Sequence, residues 1–290
     1  MASIYNNVSS IRTNIVSLNS QRLMGINADN LSKSIEKISS GLRINHASDD
    51  PAGLAISNSL LSDSTTLSKA VKNANDGVSM LNIADGALNQ QDAILIRLRE
   101  LSSQAATGTI GSTQRQTIQL EFNALRSEID RISATTAFNG QNLLDGSLAS
   151  TVTSSNHIMI LVGLDSSSNS RIDLNQLDIF AISSTTLGIN TLSVTSAANA
   201  LTAMTAVNSA LNTVTTERGK VGAVQNRLSS AVSNMLVSVQ NLTSAESTIR
   251  DTDIASEVAN MTRNQILVQT STAMVGQANL MPRYVLQLLA

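Results

Sequence analysis

Asp49 and Asp50 are two neighbouring carboxylates that could do chemistry. Paired carboxylates can hold a metal ion or act as general acid and base in catalysis. Pro51 follows them directly, however, and proline favours the first position of a helix, where the preceding residue caps the first turn. The sequence therefore predicts that Asp50 caps a helix starting at Pro51, which requires neither a substrate nor a metal.

The two histidines and a serine–lysine pair are the other candidates for catalysis. His46 and His157 have no companion ligands at the spacing of a zinc site, so a structural role is predicted for each. Ser34 and Lys37 form a Ser-x-x-Lys pattern that acyl-transferring serine enzymes use, but the companion motifs of those enzymes are missing from the sequence. We therefore predict that the chain is not an enzyme and has no cofactor and no metal site.

Composition excludes several further classes of function. The 290 residues include no cysteine, which rules out disulfides and thiolate chemistry, and a net charge of −2 gives no electrostatic attraction for nucleic acid. No apolar run is long enough to span a bilayer, so we expect no membrane insertion. Aromatic residues make up 2% of the chain and only two prolines interrupt it, which is typical of helical bundles and coiled coils.

Apolar residues recur at helical spacing in the first 42 residues of the chain. One set begins at Ile4 and ends at Leu18, and a second set, out of register with the first, runs from Ala28 to Leu42. Alternating steps of three and four residues are typical of the a/d seam of a coiled coil, and such a seam needs another helix to cover it. Either the two ends pack on each other, or they pack on other molecules, or both.

The last 40 residues are also apolar on one face, so both ends of the chain are expected to take part in assembly. The predicted assembly interface consists of Ile4, Val8, Ile11, Ile15, Leu18, Leu31, Ile35, Ile38, Leu42, Val258, Met261, Val268, Leu286 and Leu289.

The middle of the chain predicts more helices and one small β region. Leu81, Leu88 and Leu95 lie seven residues apart in a helix expected from about 52 to 107, and a third helix follows a turn at 108–112. Turn pairs such as Asn139-Gly140 indicate a small β-hairpin region at about 138–196, before a long helix resumes at about 197. The fold class is therefore mainly α, with long antiparallel helices or a coiled coil formed by the paired ends. We expect 1–46 with 251–290 to form an inner domain and 47–250 an outer one.

Two stretches carry a resemblance to a known family. Residues 38–56 read ISSGLRINHASDDPAGLAI, and residues 245–253 read AESTIRDTD. Together with NQILVQ at 264–269, they resemble the N- and C-terminal signatures of bacterial flagellins. The resemblance covers roughly 1–145 and 200–290, and it implies a short form without the variable outer domains.

This resemblance implies a function and a set of partners. It implies a structural subunit that polymerises with itself into the bacterial flagellar filament used for motility, is exported unfolded, and folds its ends on assembly. The implied partners are an export chaperone on the C-terminal segment, the flagellar export apparatus, and the filament cap and hook-junction proteins. The implied location is extracellular, in the filament. A hook–filament junction protein and a secreted helical effector or adhesin remain alternatives at this point.

The resemblance also implies a contact with an immune receptor. Arg97, Leu101 and Glu121 match by position the family residues that the vertebrate innate-immune flagellin receptor contacts. Read from the residues alone, the Arg97 segment is a charged stripe beside an apolar one, which is equally typical of a solvated helix face with local ion pairs.

Overall fold

Five long helices and two small β-hairpins make up the described parts of the chain, which confirms the predicted fold class. The computed structural model describes residues 13–179 and 181–287. The helices are α1 (Ile15–Ser40), α2 (Pro51–Ala106), α3 (Ser112–Thr135), α4 (Ala197–Arg250) and α5 (Ile254–Gln287). The strands are β1 (Ala137–Phe138), β2 (Gln141–Asn142), β3 (Met159–Leu161) and β4 (Arg171–Asp173), and short 3-10 turns occupy Ser154–Asn156, Ser168–Ser170 and Leu174–Leu177.

The predicted start of α2 is confirmed in its atomic detail. The Asp50 side chain accepts a hydrogen bond of 2.9 Å from the backbone N–H of Gly53, and the helix begins at Pro51. The cap uses one of the backbone donors that the first turn of a helix leaves unpaired. Asp49 instead accepts from the backbone N–H groups of Asn45 and His46, at 3.2 and 3.0 Å, and these bonds lower the pKa of its carboxyl group. Both carboxylates therefore shape the turn before α2.

The chain forms two compact units, to which α2 and α4 each contribute residues. Unit 1 comprises 1–62 and 242–290, and unit 2 comprises 63–241. The sequence analysis predicted an inner domain of 1–46 with 251–290 and an outer domain of 47–250. That division stays a prediction.

Unit 2 has a continuous apolar core made by the inward faces of three helices. Leu81, Leu88 and Leu95 of α2 are fully buried, as their seven-residue spacing predicted. The corresponding residues on the other two helices are Phe122 and Ile129 of α3 and Ala200, Ala203, Val207, Ala210, Val214, Val221 and Leu228 of α4. Aliphatic and alanine side chains therefore fill this core, with Phe122 as its one fully buried aromatic ring among the described residues.

Polar contacts between the helices of unit 2 define their alignment. Arg218 of α4 pairs with Asp85 at 3.0 Å and with Asp92 at 3.3 Å, both on α2. The buried Gln91 side chain donates to the backbone carbonyls of Ile129 and Ile182, at 3.2 and 3.1 Å. Because these partners lie in three different segments, the alignment of α2 in unit 2 is specified by polar geometry as well as by packing.

The predicted β region contains two antiparallel hairpins. Asn139 and Gly140 connect β1 to β2 with φ angles of 49° and 80°, the left-handed conformation that a two-residue hairpin turn requires. In the second hairpin, Met159 pairs with Asp173 and Leu161 with Arg171. The sequence prediction of a small hairpin region in the middle of the chain is therefore confirmed.

The second hairpin is fastened to the rest of unit 2 by one apolar contact and one polar network. Ile160 of β3 packs directly on Gly77 of α2, where a Cβ atom would overlap its Cδ1 atom. His157 lies with Nδ1 2.8 Å from the Asp173 carboxylate and Nε2 3.0 Å from the carbonyl of Val152. The hydrogen bond to Asp173 raises the pKa of His157 above its ordinary value.

In unit 1, α1 pairs with α5 in an antiparallel arrangement. Gly41 ends α1 in a left-handed conformation with φ of 74°, and its carbonyl accepts from Thr252 at 3.0 Å. The backbone N–H of Arg43 donates to the carbonyl of Arg250 at 2.6 Å. These backbone bonds place the end of α1 beside the start of α5.

Candidate assembly surface

Small polar side chains form the contact between α1 and α5. Asn27 donates to Ser271 at 3.0 Å, and Asn264 donates to Ser34 at 3.4 Å. Near the other end of the pair, Ser17 donates to Asn279 at 2.7 Å. Ser17 and Ser34 are among the few residues of α1 that are buried, so a hydrogen-bonded strip lies at the centre of this contact.

Partly covered apolar residues alternate with the polar ones along the same contact. Met24, Leu31 and Ile38 lie seven residues apart on α1 and are half-buried. Met261, Val268 and Val275 lie seven apart on α5 and are half-buried as well. Each helix therefore presents one apolar and one polar heptad position to its partner, whereas a stable coiled coil has apolar residues at both.

Many large apolar residues of the pair face away from this contact. Leu18 is 56% exposed, Ile35 is 50% exposed and Ile266 is 56% exposed. Others with more than a third of their surface exposed are Ile15, Val16, Leu23, Ile26, Ile254, Val258, Leu267, Met274, Leu280 and Met281. Exposed apolar residues spread over two paired helices make this pair the candidate surface for protein–protein contact.

The predicted interface residues fall into three groups in the structure. Leu31, Ile38, Met261 and Val268 lie along the contact between the two helices, and Leu42 is half-buried at the end of α1. Ile15, Leu18, Ile35 and Val258 are exposed on the outer faces. The side chain of Leu286, together with Ile4, Val8, Ile11 and Leu289, lies outside the residues that the structure describes. Their part in assembly stays a prediction.

The polar residues of the contact were missed by sequence reasoning. Asn27, Ser34, Asn264 and Ser271 do not contribute to an apolar repeat, so the search for apolar periodicity passed over them. A usable signal exists, because Asn27 and Ser34 are seven apart, as are Asn264 and Ser271. Polar residues that recur at heptad spacing between apolar ones indicate a buried polar position of a coiled coil.

The charged stripe around Arg97 is an exposed ion-pair cluster on unit 2. The Arg97 guanidinium donates to Glu121 of α3 at 2.8 Å and to Glu100 at 3.0 Å, and these hydrogen bonds raise its pKa. Leu101, by contrast, is buried with 1% of its surface exposed. Arg97 and Glu121 therefore lie on the surface and Leu101 in the interior, and a receptor contact of these three residues stays a prediction.

In the described residues outside this cluster, the candidates for catalysis form local pairs instead of a common site. His46 pairs with Glu36 at 2.8 Å on the surface, and Ser34 bonds Asn264 rather than Lys37. Within 13–179 and 181–287, no three His, Asp or Glu side chains cluster as a metal site would require. Within the same ranges, no helix is long and apolar enough to cross a membrane.

Family models match both ends of the chain. The bacterial flagellin N-terminal helical region matches residues 11–149, and the bacterial flagellin C-terminal helical region matches residues 204–289. The matches therefore cover most of the chain, including α1, α2, α3, α5 and most of α4.

Similar proteins agree with the two family matches. The chain is 43% identical to a flagellin of Bacillus subtilis (strain 168), over 96% of this chain and 99% of the relative. It is 38% identical to the flagellar filament 30.7 kDa core protein of Treponema maltophilum, over 97% of this chain and 99% of that protein. A solved chain from Vibrio parahaemolyticus, described as a flagellar hook-associated protein, shares the fold with a TM-score of 0.54 at 15% identity. That match covers 70% of this chain and all of the solved one.

These matches favour neither the hook–filament junction protein nor the secreted effector or adhesin, because the relatives at high identity and near-complete coverage are filament proteins by name. The chain therefore belongs to the bacterial flagellins and is a structural subunit of the flagellar filament.

Proposed function

We propose that the outward apolar faces of α1 and α5 are the surface through which copies of this chain assemble into the filament. The observation that carries the proposal is the exposure of Leu18, Ile35 and Ile266 on a helix pair whose internal contact is partly polar. A fully buried aliphatic side chain contributes about 1.5–3 kcal/mol, so neighbouring copies gain substantial free energy by covering these faces.

The two helices offer different patches, as growth of a filament requires. The exposed apolar residues of α1 include Ile15 and Ile26 on one side of the helix and Ile35 on another, and those of α5 include Val258 and Ile266. A contact between two different patches is heterologous, and when its rotation does not close it produces an open helical polymer. The proposed contact is therefore between α1 of one copy and α5 of another.

Export before assembly is the second part of the proposal. The chain leaves the cell unfolded through the flagellar export apparatus, with a chaperone on its C-terminal segment, and is added beneath the filament cap on top of the hook-junction proteins. Family membership supports these partners and the extracellular location. Arg97 and Glu121 are the residues we propose for contact with the innate-immune receptor, because both are exposed on one face.

Seeded polymerisation of purified protein tests the assembly surface. Ile35→Ser and Ile266→Ser should each raise the critical concentration for extending filament seeds about five- to tenfold, the equivalent of about 1–1.4 kcal/mol for a half-exposed side chain that becomes buried. Leu120→Ser is the matched control, since Leu120 is 71% exposed on α3 of unit 2. Equal effects of all three substitutions, or no effect of the first two, would contradict the proposed surface.

A further inference from the structure

We infer that the polar residues between α1 and α5 make the pairing of the two chain ends conditional on neighbouring copies. This inference rests on the proposed assembly through α1 and α5, and it identifies the residues that control that assembly. Four side chains are central to it: Asn27, Ser34, Asn264 and Ser271. They are called the polar layers below, since Asn27 with Ser271 and Ser34 with Asn264 form two hydrogen-bonded layers across the helix pair.

The polar layers occupy positions that the geometry reserves for core residues. Ser34 is 4% exposed, while Asn27, Asn264 and Ser271 are half-buried between the helices. Their spacing of seven residues on each helix is that of a heptad position, and it brings Asn27 opposite Ser271 and Ser34 opposite Asn264. The layers are thus a regular part of the helix contact rather than isolated polar substitutions.

The hydrogen-bonding groups continue beyond the two layers. Towards the start of α1, Asn14 donates to the carbonyl of Ala278 at 2.7 Å, and Ser17 donates to Asn279 at 2.7 Å. Between these contacts and the Asn27 layer, the Thr272 hydroxyl lies 3.6 Å from the sulfur of Met24 while it donates to the carbonyl of Val268 at 2.8 Å. From Asn14 to Ser34, therefore, the contact repeatedly exchanges hydrogen bonds with water for hydrogen bonds within the protein, an exchange that yields little net stabilisation.

Polar residues at a core heptad position have a known physical effect. A buried asparagine specifies the register of paired helices, because any shift leaves its amide unpaired, but it lowers the stability of the pair. In α1 and α5 the remaining core positions, such as Leu31 and Val268, are only half-buried within one chain. The paired ends of a single copy therefore have a defined register and little stability of their own.

Neighbouring copies supply what the pair lacks. When their helices cover the outer faces, residues such as Ile35 and Ile266 become buried, and this burial offsets the ordering entropy of both ends. An apolar contact in place of the polar layers would instead let each copy pair its ends before it reaches the filament. The polar layers thus delay folding of the ends until assembly, while they still dictate which residues meet.

Limited proteolysis of the soluble chain tests this inference. Trypsin cuts after Arg22 and Lys33 in α1 and after Arg263 in α5, so its cleavage rates report on pairing of the ends. An apolar-layer variant carries four substitutions that place one large and one small apolar residue in each layer: Asn27→Leu, Ser34→Ala, Asn264→Leu and Ser271→Ala. The matched control makes the same kinds of change at exposed positions of the same helices: Asn30→Leu, Ser39→Ala, Gln265→Leu and Ser256→Ala.

We expect the ends of the unmodified chain and of the control to be cleaved rapidly while unit 2 stays intact. Cleavage at Arg22 and Arg263 in the apolar-layer variant should slow at least tenfold, with more helix by circular dichroism and no dependence on protein concentration. Three results would overturn the inference: ends of the unmodified chain that already resist trypsin, no slowing in the apolar-layer variant, or protection only at concentrations where sedimentation shows that the variant associates.

The outcome is independent of the seeded-polymerisation test. Proteolysis is measured on soluble chains without seeds, and none of the substituted residues is one of the outward apolar residues. If Ile35→Ser and Ile266→Ser extend seeds normally, the proposed assembly surface fails, whatever the trypsin results. If those variants behave as expected and the apolar-layer variant is not protected, only the role of the polar layers fails.

Discussion

The two units of this flagellin use the same kind of helix in opposite ways. In unit 2, the large aliphatic residues of α2, such as Leu88 and Leu95, point inward and are fully buried, and charged pairs such as Arg218 with Asp85 lie at the margin. In unit 1, the polar residues Ser17 and Ser34 are buried and Ile35 is half-exposed. The core of unit 2 is thus closed within a single chain, whereas unit 1 leaves large apolar residues exposed.

Burial within one chain is therefore a poor guide to which apolar residues stabilise a protein that assembles. The free energy from apolar burial in unit 2 is available as soon as the chain folds, since its core is closed. Under the proposed function, the same free energy in unit 1 becomes available when other copies cover the outer faces. If the proposal is right, substitutions in unit 2 should change the stability of the soluble chain, and substitutions on the outer faces of unit 1 should change filament growth.

Removal of α5 should have the largest effect, because it should abolish filament growth and leave unit 2 folded. A chain lacking residues 251–290 loses the partner of α1 and one of the two proposed assembly patches, so we expect no filament growth from seeds. Unit 2 contains none of the deleted residues, and its thermal unfolding transition should be retained. Normal filaments seen by electron microscopy of this truncation would refute pairing of the ends as the basis of assembly.

A core substitution in unit 2 should lower the free energy of unfolding of the soluble chain far more than a substitution of an exposed residue in unit 1. Leu95→Ala should lower the free energy of unfolding of the soluble chain by about 2–5 kcal/mol, because the fully buried leucine leaves a cavity. Ile26→Ala in α1 should change it by less than about 0.5 kcal/mol, as expected for an exposed position. Urea unfolding monitored by circular dichroism checks both values. A larger effect for Ile26→Ala than for Leu95→Ala would reverse the assignment of the two units.

The contact between Gly77 and Ile160 offers a sharper test within unit 2. Gly77→Ala should destabilise the soluble chain by about 1–3 kcal/mol, since the new methyl group overlaps the Ile160 side chain. Ile160→Val removes the overlapping Cδ1 atom and should restore part of the loss when combined with Gly77→Ala.

A second glycine of α2 provides the control. A Cβ atom on Gly86 meets nothing within 4 Å, so Gly86→Ala should stabilise the chain by about 0.5–1 kcal/mol through helix propensity alone. Denaturant unfolding of both variants gives the comparison. If Gly77→Ala and Gly86→Ala changed the free energy of unfolding in the same direction, the packing of the hairpin on α2 would not explain the effect of Gly77→Ala.

The smallest expected effect is a pH dependence that belongs to unit 2. The side chains of His157 and Asp173 are each 15% exposed, and only the protonated imidazole can donate to both Asp173 and the Val152 carbonyl. Because the folded state raises the pKa of His157, its contribution to stability is complete below about pH 6.5. That contribution is lost as the pH rises through the raised pKa.

The measurement is urea unfolding at several pH values between about 6 and 9. His157→Gln should remove the part of the pH dependence that arises from this pair, whereas His46→Gln should retain it, because His46 lies on the surface beside Glu36. An unchanged pH profile in His157→Gln would show that the hairpin is held by Ile160 and the other apolar contacts instead.

A large part of the fold followed from local signals in the sequence. Pro51 preceded by Asp50 located the start of α2, and Asn139-Gly140 located the turn of the first hairpin. The seven-residue spacing of Leu81, Leu88 and Leu95 identified one side of the core of unit 2. Each of these signals involves residues close together in the chain, where backbone preference and helical periodicity act directly.

The arrangement of the assembly surface could be predicted only in part. The apolar repeat indicated that α1 and α5 need partners, and this need is visible in the exposure of Ile35 and Ile266. The repeat did not indicate that Ser34 or Leu101 would be buried within one chain. An apolar side chain can be buried by its own chain or by another copy, and periodicity alone does not distinguish the two.

By itself, then, the sequence determined the helices, the hairpins and the flagellin family, because caps, turns, heptads and signature motifs are properties of short segments. Only the tertiary structure decided which face of α1 meets α5, which glycine of α2 receives Ile160, and which carboxylate meets His157. These pairings join residues far apart in the chain, and each depends on packing and hydrogen-bond geometry that arise only when the segments meet.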